Sequence, residues 1–133
     1  MEVGTNGLPY DFGMVDRIFP KGYDNATEMK ARGVACCIGY NVILDLERGT
    51  IEEVDVDDIW PCQQVMSKSK LIDLTLYVGK NEVPGVPSGI RMDGKICLLD
   101  GHHRVAAQIL RGTKKVKIHL IDIDNETDGK ENL

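Results

Sequence analysis

ICLLDGHHRVAAQILRG, residues 96–112, contains a strand, a turn and the start of a helix in one short run. The apolar residues 96–99 have the length and composition of a buried strand, and Asp100 with Gly101 marks its end. The apolar residues that follow recur at three- and four-residue intervals and predict one face of a helix: Val105, Ala106, Ile109 and Leu110. Gly112 offers the left-handed position at which helices often end. The run therefore predicts a strand-to-helix junction.

The predicted helix begins with His102, His103 and Arg104. The first amide groups of a helix lack intrahelical partners and the macrodipole adds partial positive charge, so this start favours an anion. Gly101 lets a ligand approach the backbone, Arg104 can grip two phosphate oxygens, and either histidine can donate to a third. A plain turn is the alternative. His102 shares the apolar stripe of Val105 and fits a packing residue, whereas His103 and Arg104 are offset from it and are the better ligand contacts.

Three segments together carry a resemblance to a known family. DGHHRVAAQILRG (residues 100–112), the strand before it and VKIHLIDI (residues 116–123) resemble the ParB/sulfiredoxin superfamily, whose members share a DGHHR-like or GxxR box at such a junction. Upstream, IEEVDVDDIWPCQQVMSKSKL (residues 51–71) looks like that family's opening strand and its short P-x-Q turn, here residues 61–63. The resemblance covers residues 49–123.

The resemblance implies both a fold and a ligand. The fold is α+β, a small mixed β-sheet with two to three helices. Proteins of this superfamily bind ATP or CTP, usually with Mg²⁺, and place the triphosphate on the box helix. Some couple nucleotide hydrolysis to DNA clamping, some transfer a phosphoryl group to a small molecule, and some are described as nucleases. The position of Gln63 in the family's turn places it beside the nucleotide pocket.

Phosphoryl transfer assigns roles to the residues of the box. It needs charge neutralisation, a metal and a group that positions the nucleophile. Arg104 and His103 can neutralise charge, and Asp100 can hold Mg²⁺ or orient a hydroxyl or water. Gly101 and His102 would contribute backbone amides. The catalytic candidates are therefore Asp100, His103 and Arg104, and the cofactor-binding candidates are Gly101, His102, His103, Arg104 and Gln63.

Three classes of function remain open. The first is an Mg²⁺-dependent NTPase, phosphotransferase or nuclease that acts at the start of the box helix. The second is a non-catalytic nucleotide-binding regulatory module. The third is an interaction protein that engages DNA, a protein partner or a second copy of itself.

Two departures from the family's pattern narrow these classes. His102 stands where sulfiredoxins carry their reactive cysteine, and Cys97 lies inside the preceding strand, so reduction of cysteine sulfinic acid is disfavoured. ParB proteins add a helix-turn-helix domain and a dimerisation tail downstream, so we do not expect a complete DNA clamp. The four cysteines have no CxxC spacing, which favours reduced and mostly buried thiols over a zinc site. They are Cys36, Cys37, Cys62 and Cys97.

Charge gives a mixed indication about nucleic acid. A net charge of −5 argues against a dedicated nucleic-acid binder, because such domains are usually basic. Residues 101–117 nonetheless contain no acidic residue, whereas residues 45–58 carry seven acidic residues against one arginine. This distribution predicts a polarised molecule with positive potential around the anion site, although it also fits a solvated helix end and strand face. The candidate nucleic-acid contacts are Arg111, Lys114, Lys115 and Lys117.

The organisation of the chain is that of one compact unit. A length of 133 residues suits a single domain. No apolar run approaches the ~20 residues that span a bilayer, and the N-terminus lacks a signal pattern. We therefore expect a cytoplasmic protein without membrane contact. Residues 1–48 are expected to form an N-terminal arm and cap of unknown role, residues 49–123 the family's domain, and residues 124–133 a disordered acidic tail.

Further elements follow from periodicity and capping. Asn25 can cap a helix over residues 26–32 that Gly33 ends, and Ser67 can cap another that runs to about Tyr77 with Leu71, Leu74 and Val78 on its inner side. Strands are predicted at residues 39–46, and then from the residues Ile51, Val54 and Val56 to Trp60 and Pro61, and the two are expected to form a hairpin.

Asp93-Gly94 predicts a second hairpin, and a last strand alternates Val116, Ile118 and Leu120 with Lys117 and His119. His119 lies on the solvent-side register, where it is either a structural or an exposed residue.

Overall fold

The computed structural model describes residues 12–39, 48–78 and 86–125, and these form an α+β fold, as predicted. Three helices and seven strands alternate along the described chain. They are β1 (Phe12–Met14), α1 (Asn25–Cys37), β2 (Thr50–Asp55), β3 (Ile59–Pro61), β4 (Val65–Ser67), α2 (Lys68–Val78), β5 (Ser88–Met92), β6 (Lys95–Asp100), α3 (His102–Leu110) and β7 (Lys115–Asp122). A 3-10 turn at Val15–Arg17 follows β1.

Five strands form a mixed sheet in the order β2-β7-β5-β6-β3, and β1 pairs with β4 in a separate two-stranded sheet. β2 and β3 lie at opposite edges, although only the 3-10 turn Val56–Asp58 separates them in sequence. Four residue steps reach at most about 14 Å, whereas four strand spacings of a flat sheet span about 19 Å. The sheet must therefore curve strongly, so that its two edges approach each other.

The sheet is covered on both faces, because alternate residues of its inner strands enter two different clusters. On β6, Leu98 packs towards α2 and α3, whereas Cys97 packs towards α1. The first cluster is the larger of the two. Its buried members include Val15, Phe19, Ile59, Met66, Leu71, Val105, Ala106, Ile118 and Leu120. The second cluster comprises Ala31, Cys62, Ile90, Met92, Cys97 and Ile121.

α1 differs from its prediction at both ends. Its N-cap is Asp24 rather than Asn25, because the Asp24 carboxylate accepts a hydrogen bond from the Thr27 amide at 3.0 Å. The helix also continues beyond Gly33, where it was expected to end. A Cβ at Gly33 would meet nothing within 4 Å. The glycine therefore lies on the exposed side, and the packing of the following turn, including Val34, against the sheet outweighs its low helix propensity.

The strand predicted from Ile51 to Pro61 is two strands. Val56 begins the 3-10 turn, and Trp60 belongs to β3 at the other edge of the sheet. Ile51 is 58% exposed while Val54 is buried, because residues three positions apart on a strand face opposite sides. Residues 40–46 of the predicted partner strand lie outside the described residues, so the hairpin they were expected to form stays a prediction.

The hairpin at Asp93-Gly94 and the last predicted strand are confirmed. Asp93 and Gly94 have φ values of 54° and 73° and join antiparallel β5 and β6, as a two-residue hairpin turn requires. In β7, Lys117 is exposed but His119 is buried, with its Nε2 unpaired among the described residues. Of the two alternatives for His119, a structural or an exposed residue, the structure shows the buried one, because β7 lies between β2 and β5 and its middle is covered on both faces.

The residues on either side of the predicted domain also pack onto it. Val15, Phe19 and Ala31 of the expected arm lie in the two core clusters, because β1, its 3-10 turn and α1 cover the sheet. Asp124 of the expected tail accepts hydrogen bonds from the amides of Asp93 and Gly94, both at 2.8 Å. Residues 126–133 of that tail lie outside the described part of the chain. No helix in the described part is long and apolar enough to cross a membrane.

Candidate functional site

The start of α3 has the free amide groups that the sequence predicts. Gly101, with φ of 91°, turns the chain from β6 into the helix. The first backbone hydrogen bond of the helix runs from the Val105 amide to the Gly101 carbonyl at 3.1 Å. The amides of His102, His103 and Arg104 donate to no described residue. Three donors and the positive end of the helix dipole therefore point out of the helix at this position.

Gly101 is also needed because Pro87 packs closely against it. A Cβ built there would lie 2.8 Å from the Pro87 Cβ and 2.9 Å from the Pro87 Cα. The space that a side chain would occupy is therefore filled by Pro87, and it is not the side from which a ligand could approach. The glycine at this position is required by its backbone conformation and by this close contact.

An open cavity of about 510 Å³ lies in front of these amides. This volume is in the range of pockets that hold small molecules and cofactors. Its lining comes from the β3–β4 connection, from α2 and from the start of α3. The lining residues are Gln63, Lys70, Asp73, Leu74, Asp100, Gly101, His102, His103 and Arg104.

The charged side chains of the cavity have no partner in the described part of the chain. Lys70, Asp73, Asp100 and Arg104 form no side-chain hydrogen bond or ion pair with any other described residue. Elsewhere charges pair, as in the fork between Arg91 and Glu52 with two contacts of 2.9 Å. Two free cations and two free carboxylates around a concave surface are therefore available to a ligand and its counter-ion.

His103 is tied to the start of α2. Its Nε2 accepts a hydrogen bond from the Ser67 amide at 3.0 Å. Burial, and then the neighbouring Lys70, lowers the pKa of His103 below its ordinary value. The imidazole is therefore neutral near pH 7, and it does not supply the positive charge that the sequence assigned to it.

His102 is a buried packing residue, the alternative that its position on the apolar stripe offered. It is 2% exposed, and its ring meets that of Phe19 edge-on at 6.2 Å. Its Nε2 accepts from the Cys62 amide at 2.9 Å. Burial, with smaller contributions from Arg32 and His103, lowers the pKa of His102 to about 4, against the opposing effect of Glu28. Its backbone amide remains available at the helix start.

Gln63 lies in the cavity wall, where the family's turn was expected to place it. Its side-chain Nε2 donates to the Val65 carbonyl at 2.6 Å, which holds the amide group close to its own backbone. The Gln63 side chain is half-buried. Its carbonyl oxygen is therefore the part of the side chain that is left for a ligand.

The carboxylates of the cavity suit a metal ion that binds together with the phosphates of a ligand. Within the ranges that the structure describes, no group of three or more His, Cys, Asp or Glu side chains could hold a metal ion. Mg²⁺ usually keeps several waters and is held by one or two carboxylates together with substrate phosphates. Asp73 and Asp100 supply two carboxylates at the cavity. Phosphate oxygens would have to complete the coordination.

The contribution of α2 to this cavity was not predicted from the sequence. Ser67 caps that helix as predicted, since its Oγ accepts from the Lys70 amide at 3.4 Å. Lys70, Asp73 and Leu74 recur at helical spacing and therefore share one face. That spacing was visible in the sequence, but only the packing of α2 beside α3 makes it part of a site. Leu71 and Leu74 were both expected on the inner side of α2: Leu71 is buried, and Leu74 packs partly buried against the core.

The predicted nucleic-acid residues lie at the other end of α3. Arg111 is its C-cap, and Lys114, Lys115 and Lys117 follow in the loop and β7, all exposed. On the sheet, Lys115 lies opposite Asp55 of β2, and Lys117 lies opposite Glu53. The acidic and basic stretches therefore lie side by side. The predicted polarisation was wrong, because antiparallel pairing of β2 with β7 brings the two stretches together.

Comparisons with known proteins give matches among solved structures. No family model matches the chain, and no curated protein matches it. The fold is similar to the crystal structure of sulfiredoxin from Arabidopsis thaliana, with a TM-score of 0.49 and 17% identity over 55% of this chain and 85% of that chain.

A second similar structure is that of the C-terminally truncated chromosome-partitioning protein ParB from Caulobacter crescentus, complexed with CTP-gamma-S. The TM-score is 0.49, with 18% identity over 64% of this chain. The match spans 53%, about half, of the ParB chain. A sulfiredoxin and a ParB protein are the two kinds of protein that the sequence resemblance named.

Proposed function

We propose that this chain binds a nucleoside triphosphate, ATP or CTP together with Mg²⁺, with the phosphates at the start of α3. The observation that carries the proposal is the arrangement of free donors around one cavity. The amides of residues 102–104 and the Arg104 guanidinium have no acceptor among the described residues, and they adjoin a cavity of about 510 Å³. Such donors are what bound phosphate oxygens require.

Each wall of the cavity has a part in the proposed complex. The helix amides, Arg104 and Lys70 would hold the phosphates and offset their charge. Asp73 and Asp100 would hold Mg²⁺ together with phosphate oxygens, and the bound metal would offset the charge that develops during phosphoryl transfer. The side-chain oxygen of Gln63 is placed to accept from the sugar or the base. Asp100 is also the carboxylate that would orient an attacking hydroxyl or water.

Thermal unfolding in the presence of nucleotides tests the binding proposal. The protein is unfolded with ATP, CTP, ADP or GTP, each with and without MgCl2, and with MgCl2 alone. A ligand at a hundred times its Kd should stabilise the fold by about 2.7 kcal/mol. We expect stabilisation by a triphosphate with Mg²⁺ and none by Mg²⁺ alone, because two carboxylates without phosphates bind the metal weakly. If no nucleotide raises the unfolding temperature at millimolar concentration, the proposal is wrong.

Two arginines on the same helix give a matched pair of variants. Arg104→Ala removes the free guanidinium beside the cavity, and a charge-assisted hydrogen-bond donor is worth about 1.5–3 kcal/mol. The Kd for the nucleotide should therefore rise about 10- to 100-fold. Arg111→Ala removes an equal charge from the exposed far end of α3 and should leave the Kd within about twofold. Equal effects from both variants would show that the phosphates do not lie at the helix start.

Release of inorganic phosphate separates an enzyme from a regulatory module. If the bound triphosphate is hydrolysed, Asp100→Asn should slow phosphate release at least about 100-fold at saturating nucleotide and Mg²⁺. Binding without any phosphate release above the no-enzyme rate would identify the second function, a non-catalytic nucleotide-binding module. The opposed charges of β2 and β7 do not favour the third function, binding of DNA through Lys115 and Lys117.

A further inference from the structure

The two histidines of the box accept hydrogen bonds from the two ends of one segment. His102 Nε2 accepts from the Cys62 amide at 2.9 Å, and His103 Nε2 accepts from the Ser67 amide at 3.0 Å. Both donors are backbone groups of residues 62–67, the connection from β3 through β4 to α2. Both rings belong to the first turn of α3. The histidines therefore fasten this connection to the helix start.

Residues 62–67 carry the wall of the cavity that faces α3. Gln63 is part of the lining, and Ser67 is the capping residue of α2. α2 in turn brings Lys70 and Asp73 to the same cavity. The position of this wall relative to the free amides of α3 decides whether a ligand can touch both. Nothing else on the first turn of α3 holds the Ser67 amide among the described residues.

The acceptor role fixes the chemical form of His103. A nitrogen that accepts an N–H carries no proton, so the ring proton lies on Nδ1 and the imidazole is neutral. The Cys62 amide is shared, because it also lies 3.1 Å from the Leu98 carbonyl. Substitution of His103 therefore leaves the Ser67 amide without an acceptor among the described residues, whereas substitution of His102 leaves the Cys62 amide with the Leu98 carbonyl.

We propose that His102 and His103 are positioning residues. Through Nε2 they hold residues 62–67 and the start of α2 at the distance from α3 that lets a nucleotide contact both walls. Their imidazole rings act through the backbone they hold and not by contact with the phosphates. The expected effect on nucleotide affinity rests on the proposed function, whereas the hold, meaning the two hydrogen bonds from the Cys62 and Ser67 amides, does not.

Three substitutions of His103 test the hold directly. The side chain of glutamine can place an acceptor oxygen near the position of Nε2. The side chain of asparagine is one carbon–carbon bond shorter and does not reach that position, and alanine has no acceptor. We expect the Ser67 amide to exchange with solvent at least about tenfold faster in His103→Ala and His103→Asn than in wild type, and to be protected again in His103→Gln. Amide exchange followed by NMR measures this. Equal protection of the Ser67 amide in wild type and His103→Ala would overturn the proposal.

Nucleotide affinity of the same proteins tests the consequence. His103→Ala and His103→Asn should raise the Kd about tenfold, and His103→Gln should return it to within about twofold of wild type. If His103→Gln restores amide protection but binds as weakly as His103→Ala, the ring itself contacts the ligand and the positioning role is wrong. If wild type binds no nucleotide, the proposed function fails, and amide exchange alone still decides whether the hold exists.

The ring nitrogens of the wild-type protein provide a measurement that needs no variant. The ¹⁵N chemical shifts of an imidazole distinguish the tautomer with the proton on Nδ1 from the one with the proton on Nε2. We expect the Nδ1–H form for both histidines at neutral pH. An Nε2–H form at His103 would remove its hydrogen bond to Ser67 and overturn the proposal, even if His103→Ala fails to fold.

Discussion

The two ends of α3 look alike in sequence and differ in their surroundings. Each has a glycine with φ near 90°, Gly101 before the helix and Gly112 after it, and each carries positively charged residues. At the first end, Arg104 has no partner among the described residues and lies beside a cavity with three free amides. At the second end, the lysines of β7 lie opposite acidic residues of β2. At the first end an anion meets free amides and a guanidinium at one cavity, whereas at the second end the lysines of β7 share the surface with carboxylates.

The contrast shows what identifies an anion site in a small fold. A run of basic residues is not sufficient, because strand pairing can place carboxylates beside it, as Glu53 lies beside Lys117. The useful observations are which donors lack acceptors and whether they adjoin one concave surface. Both hold at the start of α3, whereas the basic side chains at its end lie exposed, two of them opposite acidic residues of β2.

Alanine at each of the two glycines should separate packing from backbone strain. Gly112→Ala places a side chain at φ of 90° with nothing within 4 Å and should cost about 1–2 kcal/mol. Gly101→Ala has the same strain and a contact of 2.8 Å with Pro87, and overpacking adds about 1–3 kcal/mol. We expect a loss of about 3–4 kcal/mol for Gly101→Ala. Urea unfolding measures the loss of unfolding free energy in both variants. Equal losses would mean that Pro87 moves aside at no cost in free energy.

Acid should destabilise the protein through His102. Burial lowers the pKa of His102 from 6.5 to about 4, so the unfolded chain takes up a proton at a pH where the folded protein does not. The stability that this represents is complete above pH 6.5 and is lost as the pH falls from 6.5 to about 4. The loss corresponds to about 3 kcal/mol.

A comparison with His102→Gln isolates this histidine from the carboxylates, which also titrate in acid. Urea unfolding of both proteins at pH 7.5 and pH 4 gives the loss in each. Wild type should lose more free energy of unfolding than the variant, because the variant has no ring to protonate at this position. An equal loss in the two proteins would contradict the low pKa of His102.

Charge reversal on β7 should have the smallest effect. Lys117→Glu places two carboxylates on directly opposed positions, since Lys117 pairs with Glu53, and like charges there cost up to about 1 kcal/mol. The double variant Lys117→Glu with Glu53→Lys restores opposite charges and should recover most of the loss. Urea unfolding at low salt measures both. A double variant no more stable than Lys117→Glu alone would mean that the two side chains do not interact.

The sequence predicted the parts of the fold that depend on neighbours along the chain. The hairpin at Asp93-Gly94 follows because both residues tolerate positive φ, and the helix after Gly101 follows from its apolar spacing. The cap by Ser67 is equally local. The sequence also predicted that free amides and Arg104 lie at the start of α3, because this too depends only on consecutive residues. Each of these features needs information from only a few consecutive residues.

The features that were missed depend on residues far apart in sequence. Periodicity cannot show that the strand from Ile51 to Pro61 divides between two edges of a sheet, because the division depends on β6 and β7 as partners. Lys70 and Asp73 join the site only through the packing of α2 on α3. The hydrogen bond from the Ser67 amide to His103 joins residues that are 36 positions apart in sequence.

The position of β7 within the sheet bears on the order in which the protein can form during synthesis. Among the described strands, β7 is the last to be made, yet it lies between β2 and β5 and is the only one of them paired with β2. A nascent chain that has not yet released residues 115–122 from the ribosome therefore lacks the strand that, in the described part of the chain, pairs with β2. The sheet closes only after translation has passed that strand, and the α3 helix start is presented before its sheet is complete.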